Sequence, residues 1–208
     1  ELYPGVPSIG CVGMSYASKV TEKGVSVVAF SDVTVAANVI EQASVMPVKY
    51  ISRLEEDLRK VGASERDTVC IDFCTGNDAC VLTTMYSVLG RQKISLMGGT
   101  GDAGMVSLNG TVYQDAAVYA LVKSTGKVKV YKENLYQPLS DYRFVASKTN
   151  REKYVLGELN GKAAKQVYQD SLHIAEKDIV NQTFKNPLGK MNGQDVCIIS
   201  LKEVEGNS

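Results

Sequence analysis

ISLMGGTGDAGMVSLNG, residues 94–110, is the stretch that decides the fold class of this chain. It contains the pattern G-x-G-x-x-G at residues 99–104. In a dinucleotide-binding fold this pattern lies between a strand and a helix whose N-terminus holds the pyrophosphate. Here the apolar run before the glycines predicts a strand, but the residues after them alternate with a period of two and contain Asn109-Gly110, a strong hairpin signal. A hairpin in place of the helix argues against a dinucleotide site.

A strand, a helix and a second strand are predicted on the amino-terminal side of these glycines. DTVCIDFC (67–74) is an apolar strand, ACVLTTMYSVLG (79–90) is a helix that Asn77 or Asp78 can cap, and KISLMG (93–98) is the next strand. After the glycines the chain alternates in short antiparallel runs. The sequence therefore predicts an α+β fold with mixed, largely antiparallel sheets covered by helices, and a smaller carboxy-terminal α/β portion.

The flanking regions add further predicted elements. An amphipathic helix is expected in KYISRLEEDLRKVG (49–62), with Gly62 as its stop. Strands are expected at 7–16, 24–32, 33–40, 127–131 and 195–205, a hairpin at 144–159, a helix opened by Asn160-Gly161 at 162–172, and a loop at 184–193.

Composition limits the partners of the protein. The 208 residues contain 23 lysines and arginines against 23 aspartates and glutamates, so no overall charge attracts nucleic acid or an anionic membrane. No apolar run approaches the roughly 20 residues that a membrane span needs. Five cysteines without a two-residue spacing indicate small buried thiols in a reducing compartment and no zinc site. We expect a cytoplasmic protein without a metal or cofactor.

The glycine-rich stretch has two interpretations of equal weight. Gly98, Gly99, Gly101 and Gly104 can permit positive φ in a tight connection between strands. Alternatively, their backbone amides converge on a ligand, with Thr100 and Asp102 adding polar side chains. In the second interpretation, the amides of Gly98, Gly99 and Gly101 and the Thr100 hydroxyl bind a carboxylate, and Asp102 accepts from an ammonium group.

Other candidate residues surround this stretch. Asn77 follows a strand, where α/β folds often bind ligands, and can orient a ligand; the same position also suits a helix cap. Cys11 ends an apolar strand and can join the site rim, although a packed thiol is the more common role. His173 is the lone histidine and Asp72 is a carboxylate within a buried strand. No catalytic residue is assigned.

The order of several short motifs resembles the FIST sensory family. The motifs are YPGVPSIGCVG (3–13), the double glycine with Asp102, the following TVY (111–113), and ELNGKAA (158–164). The resemblance implies a fragment of a bacterial signal-transduction protein, such as one in chemotaxis. The FIST amino-terminal portion, lacking its first elements, would span residues 1–140, and part of the FIST carboxy-terminal portion would span residues 141–208.

The resemblance also implies a function. The expected role is a cytoplasmic sensory module that binds a small polar ligand, with amino acids as the suggested class, and passes occupancy to an attached output domain. No nucleic acid or membrane contact is expected, and a homodimer is left open. Two alternatives remain: an enzyme that holds a phosphorylated substrate at Gly98–Gly104, with His173, Asp72 or Asp115 as its base, and a protein-interaction scaffold using strands between Val106 and Tyr131.

Overall fold

A computed structural model of the chain describes residues 4–13, 15–16, 20–21, 23–76, 78–139, 141–150, 155–182, 184–193, 195–199, 201 and 203–206. The chain forms two compact units, Glu1–Lys132 and Glu133–Ser208. The elements of the first unit are the strands β1 Ile9–Cys11, β2 Ser15–Tyr16, β3 Val20–Thr21, β4 Val33–Glu41, β5 Thr68–Thr75, β6 Ser95–Gly101, β7 Val106–Leu108, β8 Thr111–Tyr113 and β9 Ala116–Ser124, and the helices α1 Ile51–Val61 and α2 Ala79–Leu89.

A mixed four-stranded sheet organises the first unit, in the order β4-β9-β5-β6. β9 pairs antiparallel with both β4 and β5, whereas β5 and β6 are parallel and are joined by α2. β6 is therefore an edge strand whose carboxyl end lies beside that of β5. The α+β fold class predicted from the sequence is confirmed.

The two helices cover one face of this sheet. Leu54 and Leu58 of α1 and Met85 of α2 are fully buried against Ile40 and Leu121 of the sheet. Burial of such side chains provides roughly 1.5–3 kcal/mol each. The opposite face carries a second cluster around Val69, Ala120 and Val122, against which Ile9 of β1 packs.

Helix α1 matches its prediction closely. A 3₁₀ turn at Pro47–Tyr50 leads into it, and Gly62 ends it with a left-handed φ of 62°. Asp57 lies among the buried apolar residues of α1 and was not predicted as a core residue. Its Oδ2 accepts hydrogen bonds from the Tyr119 hydroxyl at 2.7 Å and from Asn38 Nδ2 at 2.6 Å, which satisfies the buried carboxylate.

The hairpin predicted after the glycines is confirmed. Asn109 and Gly110 have positive φ, 51° and 82°, and connect the antiparallel strands β7 and β8. The second alternating run does not continue as one strand, because Asp115, with φ 46°, separates β8 from β9. The turn lets β9 enter the centre of the four-stranded sheet.

Two strand predictions in the first unit are wrong. Residues 24–31 and 127–131 contain no strand, although both carry β-branched residues. Val25, Val27 and Val28 are 78–87% exposed. A strand needs a ladder of backbone hydrogen bonds as well as β propensity. Val128 donates a single backbone hydrogen bond to the Arg66 carbonyl, and among the described residues neither stretch pairs into a sheet. The predicted strand 7–16 is also reduced, in its described residues, to the short β1 and β2.

In its described residues, the second unit combines the α-helix α3 with antiparallel strand pairs. Its elements are β10 Ala146–Asn150, β11 Val155–Leu159, β12 Lys162–Ala163, α3 Ala164–Leu172, β13 Leu188–Asn192 and β14 Asp195–Ile199. The predicted hairpin is β10-β11. Asn160-Gly161 does not open the helix as expected, because both residues have positive φ and turn β11 into β12. The predicted loop 184–193 contains β13, which pairs with β14.

None of the described helices has both the length and the apolar character that a membrane-spanning helix needs.

Candidate functional site

The candidate site lies where β5 and β6 end and α2 begins. Parallel strands end at the same edge of a sheet, and open sheets bind ligands in the crevice outside those ends. Residues of β5 and β6 are paired in register from Val69↔Ser95 to Thr75↔Gly101. Asp72 thus stands opposite Gly98, and Cys74 stands opposite Thr100.

The glycines of this region form a strand and not a loop. Gly98, Gly99 and Gly101 belong to β6, and of the four glycines expected to have positive φ only Gly104 does, at 60°. The predicted role of the first three as positive-φ residues is therefore wrong. They also do not form the concavity of converging amides, because successive amides of a strand point in opposite directions.

Steric crowding explains why position 98 is a glycine. A Cβ at this position would lie 1.9 Å from the Asp72 carbonyl oxygen and 2.3 Å from Asp72 Oδ1. Gly98 itself is exposed, whereas Asp72 is only 3% exposed. The absent side chain at Gly98 therefore makes room for the Asp72 carboxyl group at the surface of the sheet.

Asp72 has an unusual protonation equilibrium. Burial raises the pKa of its carboxyl group to about 6, and the negative charge of Asp78 acts in the same direction. A hydrogen bond from its own backbone amide lowers the pKa but does not outweigh these effects. Asp72 therefore changes charge near pH 6, and perturbed acids of this kind are common among ligand-binding and catalytic groups.

The Thr100 side chain, at the end of β6, forms a hydrogen bond with a residue at the start of α2. Its hydroxyl donates to Asp78 Oδ2 at 3.1 Å, and its Oγ1 lies 3.6 Å from Cys74 Sγ. Asp78 occupies the N-cap position of α2 but makes no side-chain cap hydrogen bond. The interpretation of the Asp78 side chain as a helix cap is therefore wrong. Three polar side chains, those of Asp72, Asp78 and Thr100, share this edge.

Cys11 and Asp102 lie on the face of the sheet opposite to Thr100. The Cβ position at Gly101 faces Cys11 Cβ at 3.2 Å, and the Asp102 amide donates to the Val12 carbonyl at 2.8 Å. Gly101 and Thr100 are neighbours in a strand, so they face opposite sides of the sheet. Burial and the charge of Asp102 raise the pKa of the Cys11 thiol, which disfavours a reactive thiolate. The predicted site residues thus divide between the two faces.

The remaining candidates are spread through the chain. Asn77 lies outside the described residues. Asp115 accepts a hydrogen bond from the Ser44 amide in a turn, and His173 ends α3 in the second unit with φ 53°. Of the two proposed bases in the first unit, Asp72 is the one that contacts a glycine of this stretch.

Asp78 is the site residue that the sequence analysis did not assign. One signal was available: it stands directly before a helix at the end of a buried strand. Its distance from Thr100, 22 positions along the chain, hides their contact until the strands are paired.

The sequence matches a known protein family over most of its length. The family model of the FIST N domain matches residues 1–162. The chain belongs to the FIST N domain family. This family is one of predicted sensory and signalling domains. Neither the curated proteins nor the solved structures contain a significant match to the chain.

The FIST N match covers the whole first unit and extends past residue 140 into the second, ending at the first residue of β12. The assignment of residues 141–208 to a carboxy-terminal FIST portion stays a prediction, as does the boundary at residue 140.

Proposed function

We propose that this FIST N domain is a cytoplasmic sensory module that binds a small polar ligand at the carboxyl ends of β5 and β6. An amino acid is the ligand class to test first, and an attached output domain receives the signal. The observation that carries the proposal is the Thr100–Asp78 hydrogen bond beside Asp72. It concentrates hydrogen-bonding groups where open sheets bind ligands.

Accessibility supports this placement. Thr100 is exposed and Asp78 is partly exposed, so both can meet a ligand from solvent. While the Thr100 hydroxyl donates to Asp78, its oxygen keeps a free lone pair that can accept from a ligand ammonium group. Asp78 adds further acceptor positions. The site is therefore suited to a ligand rich in N–H donors.

The phosphorylated-substrate enzyme is less well supported. Two carboxyl groups, those of Asp72 and Asp78, lie beside the glycines that would hold the phosphate. Their negative charge opposes a phosphate, and a strand offers it no converging amides. The protein-interaction scaffold is also less well supported. Ala116–Val122 of β9 are buried in the sheet, so this strand cannot present a docking surface.

Thermal-shift measurements with each of the twenty amino acids test the proposal. We expect at least one to raise Tm, since a ligand that binds only the native state stabilises it. Thr100→Val should weaken that binding roughly tenfold, for the loss of about one hydrogen bond. Thr34→Val is the matched control, because Thr34 is exposed on β4, which is separated from β6 by β9 and β5.

Two results contradict the proposal. One is that no amino acid raises Tm. The other is a bound amino acid whose affinity falls in Asp102→Ala but not in Thr100→Val or Asp78→Asn. That result would move the ligand to the Cys11 and Asp102 side of the sheet.

A further inference from the structure

We propose that Asp72 and Asp78 form a subsite for a protonated primary amine, and that Asp72 exchanges its proton for this cation. The inference rests on the proposed function and specifies which group of the ligand enters the site. Three observations carry it: the position of Asp72 beside Gly98, the lack of a basic partner for either carboxyl group among the described residues, and the Thr100 hydroxyl bonded to Asp78.

The first observation is the position of Asp72. Its side chain is buried on the helix-covered side of β5, but the strand position opposite it is a glycine that is itself exposed. In the described part of the chain, only the backbone amide of Asp72 itself donates a hydrogen bond to this carboxyl group. The carboxyl group of a residue only 3% exposed, with so few donors, is costly to bury unless it is protonated or meets a cation.

The second observation concerns the charges around Asp72. Asp78 faces it from the start of α2, and the Cys70 and Cys74 thiols lie on β5 itself. Tyr119 stands opposite on β9.

On α1, Asp57 is bonded to that tyrosine, and Arg53 stacks over the Tyr50 ring while its charge acts on Tyr119. The ion pairs among the described residues of the first unit join Arg91 to Glu55, Lys93 to Glu65 and Lys123 to Asp67. None of them neutralises Asp72 or Asp78.

The third observation defines the ligand chemistry. A primary ammonium group has three donors, which match the two carboxyl groups and the Thr100 oxygen. Among the described residues, no cluster of three histidine, cysteine or acidic side chains is arranged to hold a metal ion. The acceptor set thus suits an organic cation in preference to a metal.

The exchange conserves charge and atoms. Below about pH 6 the empty site holds a proton on Asp72. When R-NH₃⁺ enters, the O–H bond of Asp72 breaks, the proton passes to water, and the carboxylate pairs with the ammonium group. Binding should therefore strengthen as pH rises through the Asp72 midpoint, because less protein has to release a proton.

Carbon-13 NMR of aspartate carboxyl groups tests this exchange in the full chain. Asp72→Asn assigns the Asp72 signal. We expect methylammonium chloride to lower the Asp72 midpoint by about one pH unit, the lower end for a carboxylate beside an opposite charge. Tetramethylammonium chloride at the same concentration is the control, because it has the same charge but no N–H donor.

Two variants sharpen the test. Asp78→Asn should lower the Asp72 midpoint by itself, since it removes a like charge, and should abolish most of the methylammonium effect. Asp102→Asn should preserve that effect, because Asp102 lies at the other face. An unchanged midpoint with methylammonium, or an equal change with both salts, overturns the inference. The amino-acid screen judges the proposed function separately, since it reads Thr100-dependent binding and not the Asp72 proton.

Discussion

Gly98 and Gly99 are neighbours in β6 with entirely different surroundings. A Cβ at Gly98 would collide with Asp72, whereas a Cβ at Gly99 would have no atom within 4 Å. Neither has positive φ, so neither position depends on the conformational freedom of glycine. At the residue scale, the close approach of Asp72 requires a glycine at position 98 but not at position 99.

Alanine substitutions separate these positions. Gly98→Ala should lower the free energy of unfolding by about 1–3 kcal/mol, because the strand must shift to accommodate the new methyl group. Gly99→Ala should change it little or raise it by up to about 1 kcal/mol, through the reduced freedom of the unfolded chain. Urea denaturation of both variants measures the difference. Equal losses would contradict the steric role of Gly98.

Asp72 makes a pH-dependent contribution to stability. Its pKa is raised from the ordinary 3.8 to about 6 in the native state, so the native state holds a proton that the unfolded state loses between these values. Stability from this group is present at low pH and declines as pH rises through about 6. The decline amounts to about 3 kcal/mol, at roughly 1.36 kcal/mol per pKa unit.

Asp72→Asn should remove this decline. Unfolding free energies of the wild type and the variant, measured between about pH 4 and pH 7.5, should diverge as pH rises, with the variant the more stable at the upper end. Asp32→Asn is the control, since Asp32 is exposed in a turn. Parallel pH profiles for Asp72→Asn and the wild type would show that Asp72 is not a proton-binding group of the native state.

At the scale of elements, α1 is joined to the sheet by a polar contact within an apolar interface. Asp57 of α1 connects to Asn38 on β4 and to Tyr119 on β9. Burial and the hydrogen bond to Asp57 raise the pKa of Tyr119 strongly, so the tyrosine remains a donor. These bonds fix how the helix is placed along two neighbouring strands, which apolar contacts alone specify less precisely.

Removing this contact should destabilise the protein strongly. Asp57→Ala leaves the Tyr119 hydroxyl and the Asn38 amide without their acceptor, and we expect a loss of roughly 2–4 kcal/mol in the free energy of unfolding. Glu56→Ala, on the exposed side of the same helix, should change it by less than about 0.5 kcal/mol. If the two variants have equal stability in urea denaturation, the network does not hold α1 to the sheet.

At the scale of the whole molecule, the two units are connected through a segment without regular structure. Residues 127–139 contain neither helix nor strand and are exposed, apart from the partly buried Val128. The change of compact unit falls between Lys132 and Glu133, within this segment. Exposed chain of this kind is where proteases cut first.

Limited trypsin digestion should therefore cleave at Lys127, Lys129 or Lys132 before it cleaves within helices and sheets. We expect two early fragments, one containing the four-stranded sheet and the other the carboxy-terminal unit. Mass spectrometry of the fragments locates the cuts. First cleavage at Lys60, in the middle of the structured first unit, would contradict this division.

Local sequence signals predicted elements well where one residue type imposes a conformation. Gly62 ends α1, Asn109-Gly110 turns a hairpin, and the hydrophobic spacing of α1 identifies its buried face. The same signals gave wrong predictions where the structure depends on which strands pair with each other. Asn160-Gly161 has the turn conformation but connects a hairpin and does not start a helix, and residues 24–31 have strand propensity but belong to no sheet in the described part of the chain.

By itself, the sequence determined the α+β class, the strand-helix-strand unit before the glycines, and the family resemblance, because each depends on residues close together in the chain. Only the tertiary structure decided which side chains meet. Thr100 meets Asp78, Gly98 yields space to Asp72, and Asp102 lies at the opposite face, because strand register and the alternation of side chains along β6 set these contacts. Local sequence pattern does not record register between strands separated by a helix.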